Sequence, residues 1–594
     1  PSHSAPRSSP PLSRLRRRPT CSSPARSARS LTLLAFFALP ARAADLPAIE
    51  EIVVTAQKVE QNLQDVPLSM SVLRGEFLED AGIDTLHELI QFAPSVHFDT
   101  SPCCSAVFIR GFGTSSNITA FDPAVGLALD ELSLNQSIFL SDPLFDLERF
   151  EILRGPQGVL FGKNTTAGLF NVTTRAPTDE LAGSFSLRVG GLGEKRFEGA
   201  VGGPVGDLAR VRLAAVASSW ADDVENTKRN LDGPDLEQRA VRAKLAFDPL
   251  PDLDVLVTAE AAASDARDLP QQAHRLSDSA VDFLRRYDPR FEDDGFDHRS
   301  SQDFPTRVDR DTHRLQAKLT YHWGDVGPLE ETELVAVGGY ARLDLDVPRD
   351  FDLTPADLLR EPRFLADYEQ RSGEIRMTAT ASPSWLPGAI DLLAGGFVFD
   401  SDLLTDAVVF AGDDLDDWLV SAPGFELVTG MPAPGGLGFP SPSTAAAALG
   451  ITLPDTPNAL AGDGLRIFSD QSATSQALFG QASWRPSDAW IVSAGARVTF
   501  EKKSARLRNE CYRTGVVCVA GGAEAFALDR DRRDTDFSPR VAVQWLPYDV
   551  LSLFAVRATG FKSGGFNNQS SVPRDVEVDR ERAVSWETGA KGSL

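Results

Sequence analysis

The sequence predicts a β protein of the outer-membrane kind: a large transmembrane antiparallel β-barrel preceded by a smaller mixed α/β domain. Three observations predict it. Segments of strict period-two alternation recur from about residue 180 onward, their connections are alternately tight and long, and no stretch of about 18 apolar residues offers a membrane helix. A membrane-embedded chain without such helices must pair every backbone group around a closed ring. The composition, 42% hydrophobic and 24% charged over 594 residues, is globular and sufficient for a sizeable core.

Residues 1–44 read as a signal peptide. Arg7, Arg14, Arg16, Arg17, Arg18, Arg26, Arg29 and Arg42 come before any acid, and the apolar run Leu31 to Leu39 leads into Ala41-Arg42-Ala43, an A-x-A cleavage pattern. The competing reading, a membrane anchor, fails because nine apolar residues are too few to span a bilayer as a helix. The chain opens on Pro1 rather than Met, which leaves the N-terminal boundary open. Removing those arginines makes the formal net charge of −25 more negative still, which excludes nucleic acid as a partner because phosphates are repelled. Beyond the signal four cysteines remain. Cys511 and Cys518 flank a short loop in an oxidising compartment and are expected to form a disulfide rather than stay free. Cys103-Cys104 has no histidine or further cysteine nearby and reads as structural or idle rather than metal-binding.

Residues 45–60 form a leading segment whose Ile52, Val53, Val54 and Thr55 are β-formers. An exposed extended segment of this kind adds as an edge strand to a partner sheet; its competing reading is the first strand of the domain that follows. In residues 61–178, helical spacing from Phe77 to Phe92 (Leu78, Ile83, Leu86, Leu89, Ile90) precedes the short apolar runs Ala106 to Ile109, Val125 to Leu129 and Phe150 to Leu153. This mixed unit is sized to fill the lumen of a barrel of ~22 strands.

Residues 179–594 supply the barrel. Leu181, Gly183, Phe185, Leu187 and Val189 share one face against Ala182, Ser184, Ser186 and Arg188. Ala209, Val211, Leu213 and Ala215 oppose Arg210 and Arg212; Val241, Ala243, Leu245 and Phe247 oppose Arg242 and Lys244; Trp490, Val492, Ala494, Ala496 and Val498 oppose Ser493, Arg497 and Thr499. Each segment is about the ten residues that a tilted strand needs to cross a bilayer. A soluble β-sandwich alternates equally well, so loop lengths decide. Pro249 to Asp252, Arg485 to Asp488 and Leu546 to Asp549 are tight, whereas about Ser264 to Asp311, Asp400 to Thr474 and Lys502 to Asp536 are long and polar. Tight turns on one rim and long loops on the other describe an outer-membrane barrel.

Four stretches carry a family likeness: Glu50-Glu51-Ile52-Val53-Val54-Thr55-Ala56-Gln57-Lys58; Phe108-Ile109-Arg110-Gly111-Phe112-Gly113; Arg149-Phe150-Glu151-Ile152-Leu153-Arg154-Gly155-Pro156-Gln157-Gly158, continuing through Leu160-Phe161-Gly162-Lys163-Asn164-Thr165; and Gly560-Phe561-Lys562-Ser563-Gly564-Gly565-Phe566-Asn567. In content and order they resemble the TonB-dependent outer-membrane receptors of the siderophore type. The resemblance implies a plug domain over 61–178 inside a 22-stranded barrel over 179–594. It also implies a TonB box at Glu51, Ile52, Val53, Val54, Thr55 and Ala56, and plug–barrel contacts in which Arg110 and Arg154 pair with barrel glutamates. Glu374 and Glu587 are the expected partners, since a buried guanidinium needs carboxylates to offset its desolvation. Water at the surface is the alternative partner. The short distance from Ala44 to Ile52 argues against an added N-terminal signalling domain.

Other chemistry is disfavoured. Gly158 to Lys163 resembles a phosphate-binding loop but has three residues between its glycines instead of four, and Asn164 stands where magnesium requires Ser or Thr. The seven histidines show no metal-ligand spacing, no nucleophile elbow or zinc helix is present, and neither a metal nor a cofactor is expected. Asp413-Asp414-Leu415-Asp416-Asp417 lacks the glycine and terminal Glu of a calcium loop and reads as a solvated face. The haem-receptor members carry a proline motif where this chain reads Gly560 to Asn567, which makes haem a poor candidate ligand.

The expectation is therefore a non-enzymatic, monomeric outer-membrane receptor embedded in outer-membrane lipid. It captures a scarce ligand, by family prevalence a ferric siderophore or other iron complex, and imports it by the pull of TonB, energised by ExbB and ExbD. A passive porin or a surface-binding adhesin barrel are the alternatives. The family's barrel runs well beyond the Glu587-Thr588-Gly589-Ala590-Lys591 segment, so the chain reads as C-terminally truncated at Leu594 and is expected not to insert as a working transporter.

Overall fold

The computed structural model describes residues 53–592 apart from 101–104, 115–119, 222, 232, 234, 272–273, 295–296, 434–436, 451, 454–458, 521, 549 and 571. The expected signal peptide, Glu51, Ile52, Cys103 and Cys104 lie outside the described residues.

The apolar runs of the N-terminal domain become a five-stranded sheet, ordered Met70–Arg74, Leu147–Arg154, Gly168–Thr174, Val125–Leu129, Leu132–Leu134. Gly168–Thr174 runs parallel to Val125–Leu129 and antiparallel to Leu147–Arg154. Phe150, Ile152, Leu153 and Phe170 are fully buried there, as strands covered on both faces require. The helical spacing from Phe77 to Phe92 resolves into two short helices, Gly75–Asp80 and Leu86–Leu89, and a 3-10 turn, Ile90–Phe92. Gly82, at φ +66°, breaks the run, and Thr85 starts the second helix through a reciprocal capping box with Glu88.

The C-terminal alternation becomes one 15-stranded sheet. Its strands follow chain order, each antiparallel to the next: Ala182–Val189, Lys195–Val205, Ala209–Ala221, Asp235–Leu250, Leu253–Arg267, Arg307–Val326, Leu329–Asp346, Leu359–Ala381, Ala389–Ala411, Gly464–Ser487, Trp490–Tyr512, Phe526–Tyr548, Leu551–Lys562 and Glu581–Gly592. The short strand Arg349–Asp350 joins Leu359–Ala381. Among the described residues the first and last strands each pair on one side only.

The faces are inverted relative to a soluble protein. Phe185, Leu187, Leu213, Val241 and Leu245 are exposed, while Arg212, Arg242, Lys244, Ser493 and Arg497 from the opposite faces are buried. Apolar side chains outward and charged ones inward are what lipid outside and a polar lumen inside demand. Trp490 stacks on Trp545 at the tight-turn rim, with ring centroids 5.9 Å apart, and Tyr321 meets Trp323 at the same rim, in the manner of an interfacial aromatic girdle.

Two details differ from the sequence reading. The middle strands run to 18–24 residues rather than ten. At about 3.3 Å per residue the longest is about 80 Å, well beyond the bilayer. The long loops are correspondingly shorter than read, because Leu253–Arg267, Ala389–Ala411 and Trp490–Tyr512 continue into them as paired strands. What remains of those loops packs into a cap. Phe283, Leu284, Phe291, Ala356 and Leu358 form one cluster against Trp418; Ala411, Leu419, Ala445, Ala446, Leu460, Val516 and Val517 form another. A disulfide joins Cys511 and Cys518, Cα atoms 5.9 Å apart, beside the second cluster. Asp416 is not on a solvated face: it is buried and accepts hydrogen bonds from the Ala459 and Leu460 amides, which the apolar packing of the cap would otherwise strand.

The wall curls around the domain. Arg196 on the second wall strand donates to the Leu144 carbonyl at 2.9 Å, and Lys591 on the last donates to the carbonyls of Leu63 and Val66 at 2.8 and 2.7 Å. The N-terminal domain thus occupies the lumen.

Candidate functional site: the lumen seam and the leading segment

Inward-facing positions of the wall strands carry the seam. Alternation places Arg212, Arg242, Lys244, Arg314, Arg376 and Lys503 on the lumen side, and the domain's loops bring carboxylates to them. Asp146 receives Arg212 as a two-pronged fork, with Nε at 2.8 Å. Asp130 meets Lys244 at 3.0 Å, Glu131 meets Lys318 and Arg376, and Asp142 meets Arg314 at 3.3 Å. Asp122 lies 2.8 Å from Lys503 and accepts from Ser563 at 2.9 Å. Buried carboxylates and cations that pair in this way offset each other's desolvation, and removing one partner leaves an uncompensated charge. Burial opposes the charge on Asp122, Asp130 and Glu131, but the neighbouring cations outweigh it and hold all three below the usual carboxylate range. Asp142 goes the other way, burial pushing it up despite Arg310 and Arg314.

The motif stretches meet at the same seam. The Asn164 amide donates to the Phe561 carbonyl at 3.0 Å, and Lys163 pairs with Glu501 at 2.8 Å. Burial works against the Lys163 ammonium, yet Glu501 and Asp122 raise its pKa. Gly158 is required by contact: a Cβ there would lie 2.5 Å from the Thr559 carbonyl oxygen and 2.9 Å from the Gly560 Cα. The two glycine-rich motifs are therefore opposing sides of one close backbone approach.

The expected arginine–glutamate contacts come out differently. Arg110 reaches Glu587 at 3.4 Å and stays partly exposed. Arg154 meets neither glutamate directly; it donates to the Pro94 carbonyl and, at 2.9 Å, to Ser71. Its guanidinium points into its own domain, where these oxygens satisfy it, and burial and then Arg110 lower its pKa. Glu374 pairs with Lys58 and, at 3.2 Å, with Arg376. The seam's dominant polarity, domain carboxylates on wall cations, is opposite to that expectation. The alternating strand faces already carried its signal in Arg212, Arg242 and Lys244, but the partners Asp122, Asp130, Glu131, Asp142 and Asp146 lie in loops without periodicity.

The leading segment is likewise not free. Val53–Val54 pairs antiparallel with Gln61–Asn62, and Val54 and Ala56 are buried against Val66, Leu68, Leu153 and Leu169. Burying these apolar side chains opposes the exposed arrangement expected from their β-forming character. The Thr55 amide donates to Glu151 at 2.9 Å; Asn171 donates to the same carboxylate and to the Thr55 hydroxyl. Glu151 sits on Leu147–Arg154, an interior strand of the five-stranded sheet, fully buried, with Arg149 as its cation at 2.9 Å. Gln57 accepts from Gln481 at 3.2 Å, and Lys58, at φ +61°, lies between the rings of Phe161 and Phe479 with its ammonium on Glu374. Burial lowers the Lys58 pKa, with Glu374 opposing.

This geometry, a globule stoppering a curved wall whose apolar face looks outward, agrees with the family models. Residues 262–594 match "TonB dependent receptor-like, beta-barrel", and residues 62–169 match "TonB-dependent Receptor Plug Domain". The chain belongs to the TonB-dependent receptor family. It is an outer-membrane protein of a receptor and transporter family rather than an enzymatic one. The vitamin B12 transporter BtuB of Vibrio vulnificus is 28% identical over 150 residues, 25% of this chain and 24% of that protein. The pesticin receptor of Yersinia pestis is 29% identical over 162 residues, 26% of this chain and 23% of that one. These matches span about a quarter of each relative's length. Among solved structures, the ferric yersiniabactin uptake receptor FyuA from Yersinia pestis shares the fold with a TM-score of 0.64 at 16% identity, covering 89% of this chain and 70% of that one.

Proposed function

We propose that this TonB-dependent receptor takes up a scarce extracellular ligand, a ferric siderophore or related iron complex, without chemically altering it. The pull arrives from TonB, driven by ExbB and ExbD, at residues 51–56, and the receptor acts as a single copy in outer-membrane lipid. The observation that carries this reading is the direct linkage of Thr55 through Glu151 to an interior strand of the plug sheet. A force on the leading strand breaks one two-residue strand pairing and then loads that carboxylate, so it is transmitted to the plug rather than dissipated in a linker. A relative named for ferrioxamine B and a fold neighbour named for ferric yersiniabactin support an iron complex as cargo.

The test is uptake of ⁵⁵Fe-ferrioxamine B and ⁵⁵Fe-yersiniabactin, beside cyanocobalamin, by cells carrying the receptor or its Val54→Pro variant. Proline cannot donate in an added strand. Surface binding without accumulation is expected for the variant; accumulation equal to the parent would point to passive diffusion and end the energised reading.

A further inference from the structure

The outer border of the wall's apolar face carries a group of cations that neither the lumen seam nor the leading segment uses. On Trp490–Tyr512 the outward side chains are apolar from Trp490 to Phe500, and on Phe526–Tyr548 from Trp545 to Phe537. At about 3.3 Å per residue such a run is about 33 Å long, and on a strand tilted by about 40° it rises about 25 Å, the height of an outer-membrane apolar band. Phe500 and Phe537, each 54% exposed, mark its upper edge. Just beyond, Lys502 stands directly opposite Arg533 across the two strands. Like charges in that position repel, and little offsets them here. Among the described residues Lys502 has Asp531 at 4.0 Å, and Arg533 has no carboxylate partner.

A break in the wall adds two more cations. Phe526–Tyr548 pairs with Leu551–Lys562 only between Arg540 and Tyr548. Above that point Leu551–Lys562 leaves it for the plug: Phe561 is buried with its carbonyl on the Asn164 amide, and Ser563 donates to Asp122. Side chains take up two of the carbonyls this exposes. Arg580 donates to Thr535 at 2.6 Å and Arg582 to Phe537 at 3.0 Å, each through one terminal nitrogen of an exposed guanidinium. Neither forms an ion pair among the described residues, and the acids Asp534, Glu577 and Glu581 are committed to Arg532 and Lys562. Thr535 is two residues from Arg533, so all four cations belong to one patch.

Four exposed cations side by side, in a chain of formal net charge −25, are complementary to an anion. Their height on the wall selects its carrier: a phosphate held at the edge of the apolar band by its own acyl chains. Guanidinium forks match phosphate oxygens in geometry as well as charge. We propose that Lys502, Arg533, Arg580 and Arg582 bind the phosphate-bearing head of an outer-leaflet lipid, whose acyl chains lie along Phe500, Phe537 and Val584. Val584 follows Arg582 on the same exposed face of Glu581–Gly592. The head relieves the Lys502–Arg533 repulsion and bridges the break between Phe526–Tyr548 and Glu581–Gly592, whatever cargo the receptor carries.

The experiment is native mass spectrometry of the full chain in neutral detergent with equimolar dioleoylphosphatidic acid, dioleoylphosphatidylcholine and dioleoylglycerol. Preferential retention of phosphatidic acid is expected. The double variant Lys502→Gln with Arg533→Gln is expected to lower that retention at least about fivefold, because two of the four phosphate contacts are gone. Arg267→Gln, whose guanidinium is exposed elsewhere on the wall and already paired with Asp265 at 3.1 Å, leaves it unchanged. Equal retention of the three lipids by the parent overturns the proposal, so the test does not depend on any variant folding. Undiminished retention by a double variant with the parent's circular dichroism, or an equal loss in Arg267→Gln, overturns it too. Displacement of the lipid by millimolar inorganic phosphate would assign the cations to free phosphate and end the lipid reading.

Discussion

The lumen seam and the outer cap bury carboxylates to a similar degree and treat them in opposite ways. In the seam Asp122, Asp130, Glu131, Asp142 and Asp146 each face a cation of the wall. In the cap Asp350 faces two more acids. Both arrangements follow from where the partner comes from. The seam joins two bodies whose mutual position is set by alternating strand faces, so a cation can be supplied at a fixed height. The cap joins loops to one another with no wall strand to supply a cation, and its buried acid is held by a backbone amide while burial and the neighbouring carboxyls favour its protonated form.

The largest expected effect breaks the seam. Asp146→Ala leaves Arg212 buried without its carboxylate and is expected to destabilise plug docking by about 3–5 kcal/mol, measured as the urea midpoint for protease access to the plug. Adding Arg212→Met to the same chain should recover much of that loss, because the stranded charge is gone. If the double variant is no better than the single one, the pair is not what holds this part of the seam.

A smaller effect separates close packing from charge. Gly158→Ala is expected to cost about 1–3 kcal/mol, because its Cβ would meet the Thr559 carbonyl oxygen and the neighbouring Gly560. The thermal midpoint of the plug reports it. An unchanged midpoint would show that the approach of the two glycine motifs is looser than described.

The most gradual effect is acid weakening of the seam. For Asp122, Asp130 and Glu131 the folded-state pKa lies below the usual carboxylate value, so their contribution is present above about pH 4 and fades as pH falls through the depressed values. Asp142 has the opposite sign, being raised, and partly offsets them as pH rises above its ordinary value. Amide exchange of the plug strands between pH 7 and pH 3 should show protection falling only toward the acid end. Flat protection across that range would mean the wall cations contribute little.

Much of the fold was legible in the residues, and the reason is periodicity. Val241 and Arg242 are neighbours in sequence, yet one faces lipid and the other the lumen, because a strand turns its side chains over at every step. That regularity revealed the two-faced strands of the wall, while the contrast of tight turns with long loops revealed its rims. It did not reveal strand length, since the segments above the lipid alternate with charges on both faces, as at Asp309, Arg310 and Asp311, and read as loop. The candidate site was legible in part. The glycine motifs were visible as motifs, and of the four expected contact residues the structure brings Arg110 and Glu587 to 3.4 Å. Arg154 was misdirected because nothing local tells which way a guanidinium turns at the end of a strand.

Sequence alone determined the class of the protein, the order of its parts and the two-faced alternation of the four wall segments in which it was read, because alternation depends on neighbours one and two residues apart. Tertiary structure alone decided that Lys58 rather than an arginine takes Glu374, that Thr55 is tied to Glu151, and that Asp303 reaches Asp350. Each of those contacts joins residues far apart in the chain, and their geometry exists only once plug, wall and cap have folded.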